Sequence, residues 1–289
     1  MTRLLIALLV VPATLAAQSF EELLRLGRAQ TDSGKSTEAI KTLERAVKTN
    51  PQSAEAHYRL GNAVGSEAGR ASVLRKPGLA KRLKAEFEKA VELDPTLVGP
   101  REGLIQFYLQ APGMMGGSVP KAREQAAEVA RLNPLRGHFA AAQVANNQKD
   151  LAGAEKAYRA AATEYPDSLS AVTSWANFLS NSGRAEEAFA PLDRYLAKHP
   201  NDRVARWWVG RTAAITGKQL DRGEQLLRAL LAESQPAEGP RIPTENFHYR
   251  LGDIAAKRGD KATARTEYQA ALKLNPKQEA AKKALDALK

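Results

Sequence analysis

The stretch Leu251–Pro276, LGDIAAKRGDKATARTEYQAALKLNP, decides the fold. Ala264, Tyr268 and Ala271 stand at offsets 0, 4 and 7, which puts them on one face of a helix, and Pro276 follows at offset 12. Proline lacks an N–H and clashes with the preceding turn, so the helix ends there. Upstream, Leu251-Gly252 places a large residue beside one with no side chain, and Gly252 stands twelve positions before Ala264. The stretch therefore encodes two helices that pack closely through small residues, the second with a defined stop.

The same spacing occurs five more times, as Ala39/Leu43/Ala46/Pro51, Leu83/Phe87/Ala90/Pro95, Ala122/Ala126/Val129/Pro134, Ala154/Tyr158/Ala161/Pro166 and Ala188/Leu192/Tyr195/Pro200. Leu26-Gly27 precedes Ala39 as Leu251-Gly252 precedes Ala264, while Trp175-Ala176 and Ala141-Ala142 keep the interval with alanine for glycine. A period of about 34 residues carrying L-G, then A-x3-F/Y, then P resembles the tetratricopeptide repeat. The likeness is to the exported bacterial type and covers nearly all of the chain beyond Ala17, most closely Gln18–Pro51, Leu135–Pro200 and Glu245–Pro276. It is looser in the third unit, which has Gly103 but no aromatic at Ala126, and in the sixth, whose final proline is Pro236 or Pro240.

The resemblance implies an all-α fold, a right-handed α-solenoid of about seven helix-turn-helix repeats over residues 18–51, 52–95, 96–134, 135–166, 167–200, 201–240 and 241–276. Residues 277–289, with Ala280, Ala281, Ala284, Leu285 and Leu288 on one side, read as the capping helix that covers the last apolar face of such an array. The composition agrees: aromatics are 6% of the chain, alanine is abundant, and no segment alternates with strand period.

Residues 1–17 combine Arg3, an apolar run from Leu4 to Val11, Pro12 and small residues to Ala17. That is the pattern of a cleaved secretory signal peptide; the uncharged run is shorter than the ~20 residues of a membrane span. The expected location is outside the cytoplasm, most simply the periplasm, with secretion to the medium the alternative. Cysteine is absent, which excludes disulfides, a thiolate nucleophile and cysteine-based metal sites. The net charge of +11 favours acidic partners such as protein, anionic lipid or polysaccharide, and export argues against nucleic acid. A generally solvated basic surface explains the charge equally well.

Two consecutive units are stretched. Gly61 and Leu83 stand twenty-two positions apart, and Gly103 and Ala122 nineteen, where twelve is the rule. The added chain is expected in the connections between first and second helices, so both should emerge at one edge. The first insertion is basic and includes Arg75, Lys76, Lys81 and Arg82; the second is apolar and glycine-rich around Met114 and Met115. One reading makes this edge a partner contact, and the other makes the two loops cover each other.

No constellation points to catalysis, and no cofactor is expected. There is no Ser/His/Asp set, no G-x-x-x-x-G-K-[ST] loop and no H-E-x-x-H helix. His57, His138 and His248 recur four positions before Gly61, Ala142 and Gly252, but in separate units, too far apart to share a metal ion; packing is the expected role. The tetratricopeptide resemblance implies that first helices line a concave groove. Its exposed positions here are Tyr58/Asn62, Phe139/Gln143, Thr173/Asn177, Trp207/Arg211 and Tyr249/Asp253. Aromatics beside amide and charged groups suit a protein or peptide partner. The expected function is a non-catalytic scaffold of the bacterial envelope that binds protein or peptide there; the alternative is a basic adaptor for anionic polymer or lipid. Trp175 and Trp208 are expected to pack.

Overall fold

The structure, a computed structural model, describes residues 19–233 and 241–288. The expected leader, Pro236 and Pro240 lie outside them. The described residues form fifteen α-helices and one 3-10 turn, with no strand among them. They fall into two compact units, Met1–Glu128 and Val129–Lys289.

The first unit contains α1 (Phe20–Asp32), α2 (Ser36–Thr49), α3 (Ala54–Arg70), α4 (Lys76–Leu93), α5 (Val98–Gln110), the 3-10 turn Gly113–Met115 and most of α6 (Val119–Leu132). The second contains α7 (Pro134–Asn147), α8 (Leu151–Glu164), α9 (Leu169–Asn181), α10 (Phe189–Lys198), α11 (Arg203–Thr216), α12 (Leu220–Ala232), α13 (Thr244–Lys257), α14 (Lys261–Leu274) and α15 (Glu279–Asp286). The pairs α1/α2, α3/α4, α7/α8, α9/α10, α11/α12 and α13/α14 pack as hairpins, and α1 also touches α3, α3 touches α5, α9 touches α11 and α11 touches α13. In the first unit α1, α3 and α5 thus stand side by side, as do α9, α11 and α13 in the second.

Each end of these helices has a local cause. Ser19, Ser53, Asn133, Asp150, Ser168, Asp202 and Asp260 each accept a backbone N–H of the first turn in their side-chain oxygen, and Ser19 completes a capping box with Glu22. At the other end, α2, α4, α8, α10 and α14 stop two positions before Pro51, Pro95, Pro166, Pro200 and Pro276, with the intervening residue leaving the helical region as a pre-proline residue must. Pro134 differs: α6 ends before it, but it also starts α7 as the first helical residue. Inside the hairpins, Gly34, Gly183, Gly217 and Gly259 turn the chain with positive φ, a role that falls to Lys149 (φ 58°) between α7 and α8.

The glycine of the L-G pair is required by packing. A Cβ on Gly61 would lie 2.5 Å from Phe87, one on Gly252 2.5 Å from Tyr268, and one on Gly210 2.5 Å from Leu227. Phe87, 3% exposed, is clasped from the other side by Gly103, so it joins α4 to both α3 and α5. Ala39, Leu43, Ala46, Ala264, Tyr268 and Ala271 are all buried, as the spacing predicts.

Three expectations need correction. The first insertion is not a long loop: α3 continues through Gly65 and Gly69 to Arg70, and α4 starts at Lys76 and takes in the alanine-, leucine- and lysine-rich residues 79–84, leaving only residues 71–75 between the helices. Arg75 and Arg82 are not free at this edge, because Arg75 meets Glu67 at 3.3 Å and Arg82 meets Glu44 at 2.6 Å. At the C-terminal end, Ala284 and Leu285 of α15 and Leu288 after it pack with Tyr268 and Ala255, and Ala281 is buried, but Ala280 is exposed, since it lies a step of about 100° from Ala281 around the helix.

Candidate functional site

In the second unit, α7, α9, α11 and α13 carry the expected groove residues. Phe139 is half-buried and Gln143 exposed on α7. On α9, Thr173 is buried and spends its hydroxyl on the Leu169 carbonyl at 2.8 Å, so it contributes backbone satisfaction and no contact surface. Asn177, one turn on, is half-buried, and its Oδ1 accepts 2.9 Å from Nη1 of Arg211 on α11.

Arg211 is half-buried and has no carboxylate partner among the described residues. Its guanidinium lies 4.4 Å from the Trp208 ring centroid, and Trp208 stands edge-on to Trp207, with centroids 5.5 Å apart. Burial, and secondarily the charge of Arg250, pull the Arg211 pKa down to about 10. Arg250, by contrast, meets Asp253 at 2.7 Å and covers the Tyr249 ring at 4.6 Å. Tyr268 Oη donates to the other Asp253 oxygen at 2.9 Å. Burial holds the Asp253 carboxyl above its ordinary range despite the Arg250 charge and the Tyr268 hydrogen bond.

The expected residues therefore divide by what holds them. Arg211 and Asn177 meet directly across α9 and α11. Asp253 is enclosed by Arg250 and Tyr268, and Trp207 packs against the cluster around Phe247 and Leu251, its indole N–H buried without an acceptor. The sequence reading misses the parts played by Trp208 and Arg250. A signal for both is present: Trp208 to Arg211 and Arg250 to Asp253 are i,i+3 pairs, which share a helix face.

In the first unit, Tyr58 packs on Phe87 (centroids 6.1 Å apart) and its ring occupies the space left by Gly99. Asn62 instead faces a cleft of about 760 Å³ between α3, α4, α5 and the residues after α5. Lys76 and Met115 line it as well, so the two insertions share its walls. Met114 projects into solvent beside it, and Lys81 is exposed.

The recurrent histidines bind carboxylates of the following helix: His57 Nδ1 to Glu86 at 2.7 Å, His138 Nε2 to Glu164 at 2.9 Å and His248 Nδ1 to Glu267 at 2.8 Å. They fasten hairpins. Among the described residues, no group of three or more His, Asp or Glu side chains could hold a metal ion, and no helix is long and apolar enough to cross a membrane.

Three family models match segments of the chain: one described as TPR repeat over residues 27–66, and two described as tetratricopeptide repeat over residues 116–168 and 246–278. A tetratricopeptide repeat protein from Parabacteroides merdae is similar in structure at 17% identity and a TM-score of 0.57, over 94% of this chain and 99% of that one. Human IFIT1, solved as a dimer with m7Gppp-AAAA, is similar at 16% identity and a TM-score of 0.60, over 93% of this chain and 62% of that one. The Cut9 and Hcn1 assembly of the APC/C includes a similar chain at 13% identity and a TM-score of 0.55, covering 93% of this chain and 49% of that one. Together with the helical hairpins, these likenesses give the fold as an α-solenoid of tetratricopeptide repeats. No curated protein sequence matches the chain.

Proposed function

We propose that this protein is an exported, non-catalytic scaffold of the bacterial envelope, most simply periplasmic, that binds a protein or peptide segment on the face of α7, α9, α11 and α13. Tetratricopeptide repeats generally act as protein-interaction scaffolds, and that supports the class of function. The leader pattern of residues 1–17 supports export.

The observation that carries the binding surface is Arg211: a largely buried guanidinium stacked on Trp208, hydrogen-bonded only to the neutral Asn177 and repelled by Arg250. A carboxylate from a bound segment would supply the missing counter-charge in a partly desolvated place, where such a pair is stronger than on an open surface. Phe139, Gln143, Trp207, Tyr249 and Asp253 lie on the same four helices and are the further residues proposed for this surface.

The test is capture from envelope extract at moderate salt with the chain starting at Gln18. One protein retained by the wild type and lost with W207A/R211Q is the expected result. Equal capture by the double variant, with an unchanged helical content, would remove this face from consideration.

A further inference from the structure

The tip of the first unit, where residues 71–75 meet the turn after α5, combines features that the peptide surface of the second unit does not use. Val73 is 80% exposed, Leu74 92% and Met114 95%. Val73 and Met115 line the same cleft, so these apolar side chains come from two connections that adjoin. Isolated exposed apolar residues are ordinary; three together on two short connections are not.

Charge surrounds them on one side only. Between Gly65 and Lys84 there are six cations and a single acid, Glu67, and from Gly103 to Pro120 there is no charged residue. Glu67 is already held by Ser36 at 2.6 Å and by Arg75. Arg70 donates to the Gly34 carbonyl, a neutral acceptor, and so keeps its full charge. Lys76 and Lys81 have no ion-pair partner among the described residues. Arg75, Arg82 and Lys84 are each paired with a carboxylate, so Arg70, Lys76 and Lys81 carry the free charge. These three cations beside protruding Val, Leu and Met side chains are complementary to an anionic lipid surface: the apolar groups enter the boundary between headgroups and acyl chains while the lysines stay at the phosphates.

The cleft behind the tip fits the same occupant. Its apolar wall is made by Ala80, Leu83, Phe87 and Phe107, Lys76 is the one charged residue among those lining it, and its volume of about 760 Å³ suits a chain-like ligand. Gly65 and Gly69 line it one helical turn apart, and a Cβ at either would meet nothing within 4 Å. Glycine inside a helix costs about 1 kcal/mol relative to alanine, and no neighbour within the protein requires it at these two positions, unlike Gly61.

We propose that this tip docks on an anionic phospholipid bilayer, with Val73, Leu74 and Met114 inserted, Lys76 and Lys81 at the headgroups, and the Gly65–Gly69 trough open to an acyl chain. The docking is independent of the Arg211 surface.

The experiment is vesicle flotation with the chain starting at Gln18, because residues 1–17 would partition into lipid by themselves. Vesicles contain about 30 mol% phosphatidylglycerol or phosphatidylcholine alone, at about 100 mM salt, where exposed charges act within about 10 Å. The wild type floats with the anionic vesicles only. K76E/K81E weakens binding by more than about 25-fold, since each lysine at such a surface is worth about five-fold. L74D/M114D weakens it at least about ten-fold by removing the inserted groups. Gly65→Leu, whose Cβ would meet nothing within 4 Å, weakens it several-fold, and W207A/R211Q leaves it unchanged. Leu74 and Met114 make almost no internal contact, so their variants melt like the wild type. Absence of flotation with anionic vesicles overturns the proposal. So does wild-type flotation of L74D/M114D, or an equal loss with K273E/K277E on the second unit, which would reduce the effect to diffuse charge. Wild-type binding by Gly65→Leu overturns the acyl-chain trough.

Discussion

Around Asp253 the polar groups are held by one another: Arg250 and Tyr268 take its two oxygens, and Arg250 lies over Tyr249. Around the cleft of the first unit, Asn62, Ser66, Gln106, Gln110 and Lys76 line an open wall and have no side-chain partner among the described residues. Both places combine aromatic rings with polar side chains, and composition alone does not separate them. The difference is whether the polar groups complete the fold or are left for something else. A satisfied network stiffens the helices that carry it. Solvated, unpartnered groups beside an apolar wall contribute little to stability and are available to a ligand.

The largest effect expected on this comparison comes from the residue that builds the cleft floor. Phe87→Ala removes a ring clasped between Gly61 and Gly103, and should cost about 3–5 kcal/mol in urea unfolding. A cost of about 1 kcal/mol, the ordinary scale of a point mutation, would mean that the two stretched hairpins are not held together by this side chain.

Next is a direct contrast of the two regions. Asp253→Ala leaves Arg250 and Tyr268 partly buried and unpaired, and should cost about 2–3 kcal/mol. Asn62→Ala and Gln106→Ala should each stay within about 0.5 kcal/mol, because neither leaves a partner behind. Similar costs at all three sites would break the distinction.

Titration sharpens it further, because Asp253 and Glu224 move in opposite directions. Burial raises Asp253 above its ordinary 3.8, so its favourable contribution is complete below that value and is lost as pH rises through the folded value. The Arg258 hydrogen bond, followed by that from Arg228, lowers Glu224 below its ordinary 4.5 despite burial, so its contribution is present above 4.5 and lost as pH falls through the folded value. Unfolding measured from about pH 3 to pH 7 for Asp253→Asn and Glu224→Gln should therefore give differences from the wild type that slope in opposite senses. Parallel slopes would contradict the enclosed character of Asp253.

The smallest effect is in the turn between α7 and α8. Lys149 holds φ at 58° where four other hairpins place glycine, and Lys149→Gly should stabilise by about 0.5–1 kcal/mol, read as a rise in Tm. A loss of stability would show that the lysine side chain has a role that the geometry does not display.

Much of the fold is legible in the spacing. The offset of 12 from Gly252 to Ala264 and the further 4 to Tyr268 reflect a contact: the glycine exists because the Tyr268 ring fills the space of its missing Cβ. The prolines mark where the second helices stop because their effect is local. The insertions are harder to read. The long interval from Gly61 to Leu83 shows that chain has been added, but not whether the addition lengthens two helices or forms a loop, and the composition of residues 80–84 favours helix.

The candidate site is legible only in part, for the same reason. The repeat register identifies the first-helix face that carries Asn177, Arg211 and Asp253. Whether a given side chain there is free depends on a neighbour roughly one repeat or half a repeat away, as Arg211 with Asn177 and Tyr268 with Asp253 show. Trp208 reads from the register as a packing residue alone, although its i,i+3 relation to Arg211 is there in the sequence.

The most direct test of the central claim, that an uncompensated Arg211 marks a carboxylate-reading surface, is selection of a displayed random peptide library on the immobilised chain, alongside Arg211→Gln. The wild type should enrich peptides with a recurrent Asp or Glu, and Arg211→Gln should lose them while keeping its helical content. Enrichment of the same peptides by both proteins, or of peptides without a common acid, would contradict it.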